Sequence, residues 1–271
     1  MSLFAKKSLG QHFLNSPSVL HKIVEASQLN VGETVFEIGP GTGVLTSELL
    51  KISDHVIAVE KDDRAYTLLK ETYATEISSG KLNLIHGDIL ELDRTSLSIR
   101  DGEYTVVANI PYYITGAILE SFLEHSPRPR RMILLVQKEV AERIVARDGK
   151  ESILSVSIKA FGTPRIVATV PPGAFIPPPT VDSAILEIGN IILPDAVRFA
   201  DPKHVRHFFS IVKTAFAHKR KFALRNLEIL FEREKLEKAW ETIGISPTIR
   251  SEDIPVGKWI ELANELAKQQ G

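Results

Sequence analysis

The chain has 271 residues and a formal net charge of −1, with 44% hydrophobic and 25% charged residues, which is typical of a globular protein and excludes a disordered or fibrous one. The absence of cysteine excludes disulfides, thiolate metal sites and a cysteine nucleophile. No apolar run approaches the roughly 18 residues of a membrane span, and the first residues lack a signal peptide's apolar stretch, so we expect a cytoplasmic protein.

From about residue 31 to residue 190, short β-rich runs alternate with helical patterns. The runs are nearly continuous in apolar residues and lie at 34–38, 56–60, 82–85, 105–108 and 132–136. Parallel strands that are covered on both faces have this composition. The segments 44–50, 64–77 and 118–123 show helical periodicity. The alternation predicts a doubly wound, Rossmann-like α/β sheet.

The pattern changes after residue 170. Two proline clusters, at 171–173 and 177–179, predict a rigid loop, because proline continues neither a strand ladder nor a helix. The apolar run 181–188 follows without room for a crossover helix, so we expect it to pair antiparallel at the far edge of the sheet. Residues 202–269 resemble four or five short helices. We therefore expect a sheet domain over residues 1–192 and a small all-helical domain over 193–271.

A glycine-rich turn follows the first predicted strand and begins with an acid. Glu37 precedes Gly39, Gly41 and Gly43, and such a turn brings the backbone and a helix N-terminus close to a ligand. Glu60 and Asp88 end the second and third predicted strands at the same sheet edge. There, an acid can accept ribose hydroxyls or an adenine amino group. The alternative is that each of these two acids caps the helix that follows it.

The spacing of the turn bears on which nucleoside it would bind. A dinucleotide turn has the pattern G-x-G-x-x-G, whereas this turn has G-x-G-x-G after Glu37. An acid at this place repels a pyrophosphate and suits a cation. S-adenosylmethionine has an ammonium, a sulfonium and no phosphate, so the charge favours it over NAD.

The tetrapeptide NIPY, residues 109–112, ends the fourth predicted strand beside the same crevice. An adenine amine attacks a methyl group only if its nitrogen is held and aimed, which two hydrogen-bond acceptors achieve. The side chain of Asn109 offers one acceptor. Pro111 favours an extended Ile110, whose backbone carbonyl is the other. Tyr112 offers a flat face for a flipped base. The alternative is an ordinary turn with a half-buried tyrosine.

The chain resembles the small-subunit ribosomal RNA adenine dimethyltransferases, the kasugamycin-resistance family, along nearly its whole length. The matching segments are residues 8–14 (SLGQHFL), 37–43 (EIGPGTG), 109–112 (NIPY), 175–183 (FIPPPTVDS), 212–216 (VKTAF) and 219–221 (KRK). The resemblance implies transfer of methyl groups from S-adenosylmethionine to N6 of two adjacent adenosines in the terminal hairpin of 16S rRNA. One departure is Thr180, where relatives often have lysine.

The resemblance also implies which residues bind the cofactor. They lie in the N-terminal segment, the glycine turn and the strand ends: Gln11, His12, Leu14, Glu37, Gly39, Gly41, Glu60, Asp88, Ile89 and Asn109. Among them, His12 and Leu14 contact the methionine end, Glu60 the ribose and Asp88 the adenine. We interpret His12 as a binding residue, because direct displacement at N6 needs no base before the transition state. No metal is implied.

The catalytic group implied by the resemblance consists of Asn109, Ile110, Pro111, Tyr112 and Phe175, with Phe175 forming a second aromatic wall opposite Tyr112.

The segment 203–225 has an unmixed positive charge. Seven basic residues and no acid lie in it, namely Lys203, Arg206, Lys213, Lys219, Arg220, Lys221 and Arg225, while the rest of the chain has 26 basic and 34 acidic residues. Apolar residues between them suit a helix with a buried stripe and a basic outer face. We expect this face to bind RNA phosphates within an immature small subunit, rather than to be only a solvated surface, and we expect a monomer.

Two rival functions stay open at this point. The macrolide-resistance methyltransferases have a similar core and modify 23S rRNA. Alternatively, the chain is a ribosome-assembly checkpoint that binds RNA without catalysis. A NAD dehydrogenase is disfavoured by Glu37 and the glycine spacing.

Overall fold

The computed structural model describes residues 11–30, 32–111, 114–193 and 202–268, without the side chains of residues 202 and 203. The chain forms two compact units. The sheet unit comprises residues up to 141 together with 163–193, and the helical unit comprises residues 142–162 together with those from 194 onward.

The main sheet of the described residues has seven strands in the order β4-β3-β2-β5-β6-β9-β7. In chain order they are β2 (Thr34–Ile38), β3 (Val56–Glu60), β4 (Leu82–His86), β5 (Tyr104–Asn109), β6 (Arg131–Gln137), β7 (Thr163–Val170) and β9 (Ser183–Gly189). A separate two-stranded sheet pairs β1 (Phe13–Leu14) with β8 (Phe175–Ile176) in antiparallel fashion. The five predicted parallel strands are confirmed as β2 to β6.

The far edge of the sheet differs from the expectation. β9 pairs antiparallel with β6, as predicted, but it is not the edge strand, because β7 pairs antiparallel with its other side. All of β9 is buried, whereas Val170 is the one fully buried residue of β7. Pro164 near the start of β7 fits this outer position, since proline is tolerated mainly on edge strands.

Helices cover the sheet. They are α1 (Pro17–Ser27), α2 (Val44–Ile52), α3 (Asp63–Thr72), α4 (Ala74–Ser78) and α5 (Thr115–Glu124), and α6 (Lys138–Val145) follows β6. Capping residues fix where some of these helices begin. At the start of α3, Asp62 accepts a hydrogen bond from the N–H of Arg64. Apolar side chains of α1 and α2 join those of the central strands in one core, which includes Ile23, Leu49 and Val107.

The helical unit contains α7 (Ile153–Lys159), α8 (Pro202–Ala215), α9 (Ala223–Leu227), α10 (Arg233–Ile243) and α11 (Val256–Lys268). α8 packs against α9 and α11, and α10 packs against α11. Both tryptophans, Trp240 and Trp259, are buried here. No helix of the described chain has the length and apolar character that a membrane crossing needs.

Residues 142–162 were expected to belong to the first domain, yet they group with the C-terminal helices. The reason is tertiary contact. The ring of Phe161 stacks on that of Phe209 with centroids 5.6 Å apart. The backbone N–H of Glu151 donates to the carbonyl of Glu252 at 2.8 Å, and Lys159 pairs with the Glu151 carboxylate.

Candidate active site

The glycine-rich turn connects β2 to α2 and uses two glycines for different reasons. Gly39 (φ +66°) and Gly43 (φ +82°) are both in the left-handed region that favours glycine. A Cβ added at Gly43 would lie 2.8 Å from the ring of Tyr73, whose hydroxyl donates to the Gly43 carbonyl at 2.7 Å. A Cβ added at Gly39 would meet nothing within 4 Å. Gly43 therefore serves packing, whereas Gly39 borders open space.

Glu60, the last residue of β3, fixes this turn. Its carboxylate accepts the backbone N–H of Gly41 at 2.9 Å and that of Asp62 at 2.8 Å. The residue is only 5% exposed, and burial raises its pKa, with a further contribution from the Asp62 charge. The Lys61 backbone also hydrogen-bonds to this carboxylate, and because a carboxylate has about four acceptor positions, these bonds do not exhaust its capacity. Because Asp62 is the N-cap of α3, the capping alternative does not describe Glu60.

Glu37 lies in β2 and is 1% exposed. The Thr46 hydroxyl donates to its Oε2 at 2.7 Å. Its Oε1 is buried and has no hydrogen-bond partner among the described residues. Burial raises the pKa of Glu37 to about 8, and the nearby Glu60 charge acts in the same direction. A buried carboxyl with one orphaned oxygen suits a positively charged or hydrogen-bond-donating group.

The N-terminal segment is held at three places along this edge of the sheet. The Gln11 side chain donates to the Asp62 carboxylate at 3.0 Å. His12 Nδ1 lies 2.8 Å from the carbonyl of Pro177, which only accepts, so this nitrogen donates. The Asn109 amide donates to the His12 carbonyl at 3.0 Å. None of these three contacts is local in sequence.

Asn109 ends β5, and its amide orientation follows from its partner. Since Nδ2 donates to a carbonyl, Oδ1 is the acceptor end of the side chain. The next residue, Ile110, is 2% exposed, and its N–H lies 3.3 Å from the Leu135 carbonyl. Pro111 follows it. Tyr112 lies outside the described residues.

These parts line a cleft at the carboxyl ends of the strands, which we call the glycine-turn cleft. The predicted residues that line it come from the N-terminal segment, the glycine turn and the strand ends: Gln11, His12, Leu14, Glu37, Gly39, Gly41, Glu60, Asn109, Ile110 and Pro111. The structure thus brings most of the predicted site together.

Asp88 and Ile89 do not line the cleft. Asp88 follows β4, whose last residue His86 is paired with Glu60, so it lies at the same sheet edge. Its Oδ1 accepts the N–H of Leu90 at 3.0 Å, and its Oδ2 accepts Lys61 Nζ at 2.6 Å. The hydrogen bond from Lys61 is the main cause of its lowered pKa. The helical turn that follows β4 is capped by Asp93, so Asp88 caps a local turn and not a helix.

Phe175 is also apart from the cleft lining. It is 2% exposed and belongs to the apolar core. It pairs with Leu14 across the β1–β8 ribbon. In this conformation the ring has no open face for a base, so the predicted sandwich with Tyr112 requires the ring to become exposed.

Sequence reasoning did not assign a role to several contributors, of which Phe13 and Thr46 make the most specific contacts. Phe13 lines the cleft, and its ring lies 3.1 Å from the position of a Cβ on Gly41. Thr46 is the partner of Glu37. Phe13 could have been found from its place between His12 and Leu14 in the family-like segment, whereas nothing local marks Thr46.

The basic segment has the predicted amphipathic form. Exposed cations of this segment are Arg206, Lys213, Lys219, Arg220, Lys221 and Arg225. The intervening Phe208, Ile211 and Val212 are fully buried. Lys203 lies in α8, but its side chain is outside the described residues.

The sheet order and the glycine turn define a Rossmann-like methyltransferase unit joined to a helical unit. The fold is that of a dimethyladenosine transferase from Plasmodium falciparum, with a TM-score of 0.77 and 26% identity over 96% of this chain and 98% of that one. A 23S rRNA methyltransferase, ErmE, is also similar in fold, with a TM-score of 0.70, 24% identity, and coverage of 94% of this chain and 99% of that one.

The sequence comparisons are more specific than the fold. The family profile of ribosomal RNA adenine dimethylase matches residues 3–268. The ribosomal RNA small subunit methyltransferase A of Dehalococcoides mccartyi is 41% identical over 268 residues, which cover 98% of this chain and 90% of the relative. The protein of the same name from Trichormus variabilis is 37% identical and covers 96% of this chain and 97% of its own length. The chain belongs to the ribosomal RNA adenine dimethylase family.

Proposed function

We propose that the chain transfers methyl groups from S-adenosylmethionine to N6 of two adjacent adenosines in the 3′-terminal hairpin of 16S rRNA, giving N6,N6-dimethyladenosine. The substrate is an immature small ribosomal subunit in the cytoplasm, on which the enzyme acts as a monomer. The family match over residues 3–268 is the observation that carries this proposal. The names of the relatives that cover at least 96% of the chain favour the small subunit over 23S rRNA.

The residues of the glycine-turn cleft fit S-adenosylmethionine. The orphaned Oε1 of Glu37 suits a cationic ligand, and the open space over Gly39 leaves room for one. When bound, this cofactor supplies an electrophilic methyl group on a sulfonium. Glu60 would hold the ribose hydroxyls, with the turn at Gly41 beside it. Gln11, His12 and Leu14 would hold the methionine end.

Asp88 and Ile89 would bind the adenine of the cofactor. Lys61 and the N–H of Leu90 each take one acceptor position of the Asp88 carboxylate, so the adenine amino group would compete with Lys61 for this side chain. The Lys61 side chain is 64% exposed, so a move into solvent costs little.

Asn109 and Ile110 would position the target adenine. The N6 amine has two hydrogens, and the Asn109 side-chain oxygen and the Ile110 backbone carbonyl would each accept one. This arrangement aims the nitrogen lone pair at the methyl group without a strong base. The hydrogen bond from Asn109 to the His12 carbonyl supports the role, because it fixes which end of the amide acts as acceptor. Tyr112 and Phe175 would stack on the base, and Pro111 keeps Ile110 extended.

The basic segment would hold the RNA by its phosphates. Such contacts position RNA without reading its sequence. Selection of the two adenosines then depends on the shape of the hairpin and its surroundings in the particle.

The test of this proposal separates cofactor binding from methyl transfer. Asn109→Ala should lower transfer to unmethylated small-subunit particles by about 100-fold or more, because one acceptor is lost. Its affinity for S-adenosylmethionine, measured by calorimetry, should fall by less than about fivefold. Normal turnover by this variant would overturn the two-acceptor mechanism.

A matched control addresses the second contact of Asn109, its bond to the N-terminal segment. Gln11→Ala releases the same segment from Asp62 without touching Asn109. It should weaken cofactor binding, while transfer at saturating cofactor falls far less than in Asn109→Ala.

A further inference from the structure

The helical unit has an open groove between the end of α8 and the region of α9, which we call the α8–α9 groove. Its cationic lining includes Lys213, Lys221 and Arg225, and all three residues are exposed. Among the described residues that line it, none is acidic. The groove therefore suits an anion.

The other side of the groove is apolar. Ile229 and Leu230 line it and are 81% and 43% exposed, respectively. The same turn places Leu227 and Phe231 in the core, and the N–H groups of Leu230 and Phe231 donate to the Leu227 carbonyl. Ile229 is thus held outward on a hydrogen-bonded turn. A single exposed apolar residue is ordinary, but a pair beside three cations indicates a partner that has both an apolar surface and negative charge.

The two sides are fixed to each other by a buried amide. Asn226 lines the groove and is 6% exposed. Its Nδ2 donates to the carbonyl of Ala215 at 2.6 Å and to that of His218 at 3.2 Å. Because these carbonyls lie at and just after the end of α8, the amide ties α9 to α8. The spacing of the basic and apolar sides is therefore built into the fold.

Duplex RNA does not satisfy both sides. It offers phosphates and 2′-hydroxyls, but the faces of its bases are covered by stacking, so Ile229 and Leu230 would have no apolar partner. An unpaired nucleotide offers a flat, sequence-tolerant face together with its own phosphate. We infer that the α8–α9 groove binds an unpaired nucleotide of RNA, with the base against Ile229 and Leu230 and the phosphates on the cations.

This inference rests on the proposed function, which makes RNA the partner of the helical unit. An acidic protein surface with apolar residues is the competing occupant. RNA is favoured because the positive charge extends beyond the groove to the exposed Arg206, Lys219 and Arg220, and an extended polyanion neutralises such a segment.

The experiment measures binding of the full chain to two RNA hairpins with the same number of phosphates. One hairpin has a fully paired stem and the other has a bulged nucleotide, and both are closed by the same non-nucleotide linker, so the bulge is the only unpaired nucleotide. Fluorescence anisotropy compares the wild type with the double variant Ile229→Ser and Leu230→Ser. Affinity for the bulged hairpin should fall about tenfold and affinity for the paired hairpin less than twofold. The salt dependence should not change, since no charge is removed.

Two further variants make the result specific. Ile52→Ser removes a 39% exposed apolar residue at the end of α2 and should bind both hairpins like the wild type. Lys221→Met should lower the affinity for both hairpins and make that affinity less dependent on salt concentration. Thermal unfolding of every variant verifies that it is folded.

The inference is overturned if the double variant binds both hairpins like the wild type, or loses affinity equally for both. It is also overturned if the variant binds RNA normally but no longer binds small-subunit particles, because the groove then docks a protein. Formation of dimethyladenosine by the wild type is measured separately, so failure of the proposed function is recognised independently of the groove.

Discussion

Replacing Glu37 by Gln keeps the shape of a buried side chain but removes its ability to ionise. The pKa of Glu37 is about 8 in the folded chain, against 4.5 for an unperturbed Glu. Between these pH values the folded state retains a proton that the unfolded state has released. The contribution of Glu37 to the free energy of unfolding is therefore fully present below pH 4.5, decreases as the pH rises, and is lost above about pH 8.

The magnitude follows from the size of the shift. One pKa unit corresponds to about 1.36 kcal/mol. Between about pH 5.5 and pH 8.5, the unfolding free energy of the wild type should therefore fall by about 3 kcal/mol more than that of Glu37→Gln. The raised pKa of Glu60 acts in the same direction but is present in both proteins and cancels in the comparison. The absolute stability of the variant also depends on the unpaired amide nitrogen of Gln, so the pH slope is the decisive quantity.

The assay must report on the sheet unit. Both tryptophans, Trp240 and Trp259, lie in the helical unit, so tryptophan fluorescence follows the wrong part of the chain. Hydrogen exchange of β2 and β5, compared between wild type and variant at each pH, reports opening of the sheet itself. Glu71→Gln, which changes an exposed carboxylate on α3, is the matched control and should follow the wild type. Parallel pH profiles for the wild type and Glu37→Gln would show that Glu37 does not carry a raised pKa in the folded chain.

Three other predictions follow from individual contacts. Gly43→Ala should lower the unfolding free energy by about 2–4 kcal/mol, because its Cβ meets the Tyr73 ring at 2.8 Å in a left-handed backbone; a thermal midpoint within about 2 °C of the wild type would contradict this. Lys61→Met should tighten S-adenosylmethionine binding about two- to fivefold by freeing Asp88, and calorimetry that shows unchanged or weaker binding would contradict it. Alanine at all three of residues 219–221 should weaken RNA binding and reduce its salt slope by about two; an unchanged slope would place the RNA elsewhere.

The sequence predicted those parts of the fold that depend on local pattern. The apolar runs of β2, β3, β5 and β6 are buried almost throughout, and this makes a parallel strand recognisable without its partners. β7 was missed because it is only partly buried, begins beside Pro164 and takes its place from pairing with β9. The grouping of residues 142–162 with the C-terminal helices was missed for the same reason, since it depends on contacts such as Phe161 with Phe209.

In the candidate site, too, local sequence marks some residues, whereas other contacts exist only in the folded chain. Glu37, Gly39 and Glu60 are recognisable because strand ends and turn glycines have fixed places in this fold. The contacts that complete the cleft join residues far apart in the chain, as from Asn109 to His12, and no periodicity signals them. The pairing of Asp88 with Lys61 is likewise a property of the folded chain. Local sequence thus identifies which groups lie at the cleft edge but not which of them already have partners.

The most direct measurement is mass spectrometry of rRNA nucleosides after the protein is incubated with S-adenosylmethionine and unmethylated small-subunit particles, with naked 23S rRNA in parallel. We expect N6,N6-dimethyladenosine in the particle reaction alone. Dimethyladenosine in the 23S reaction alone would contradict the proposed small-subunit substrate. If the protein binds the cofactor but methylates neither RNA, the result would support a checkpoint function instead.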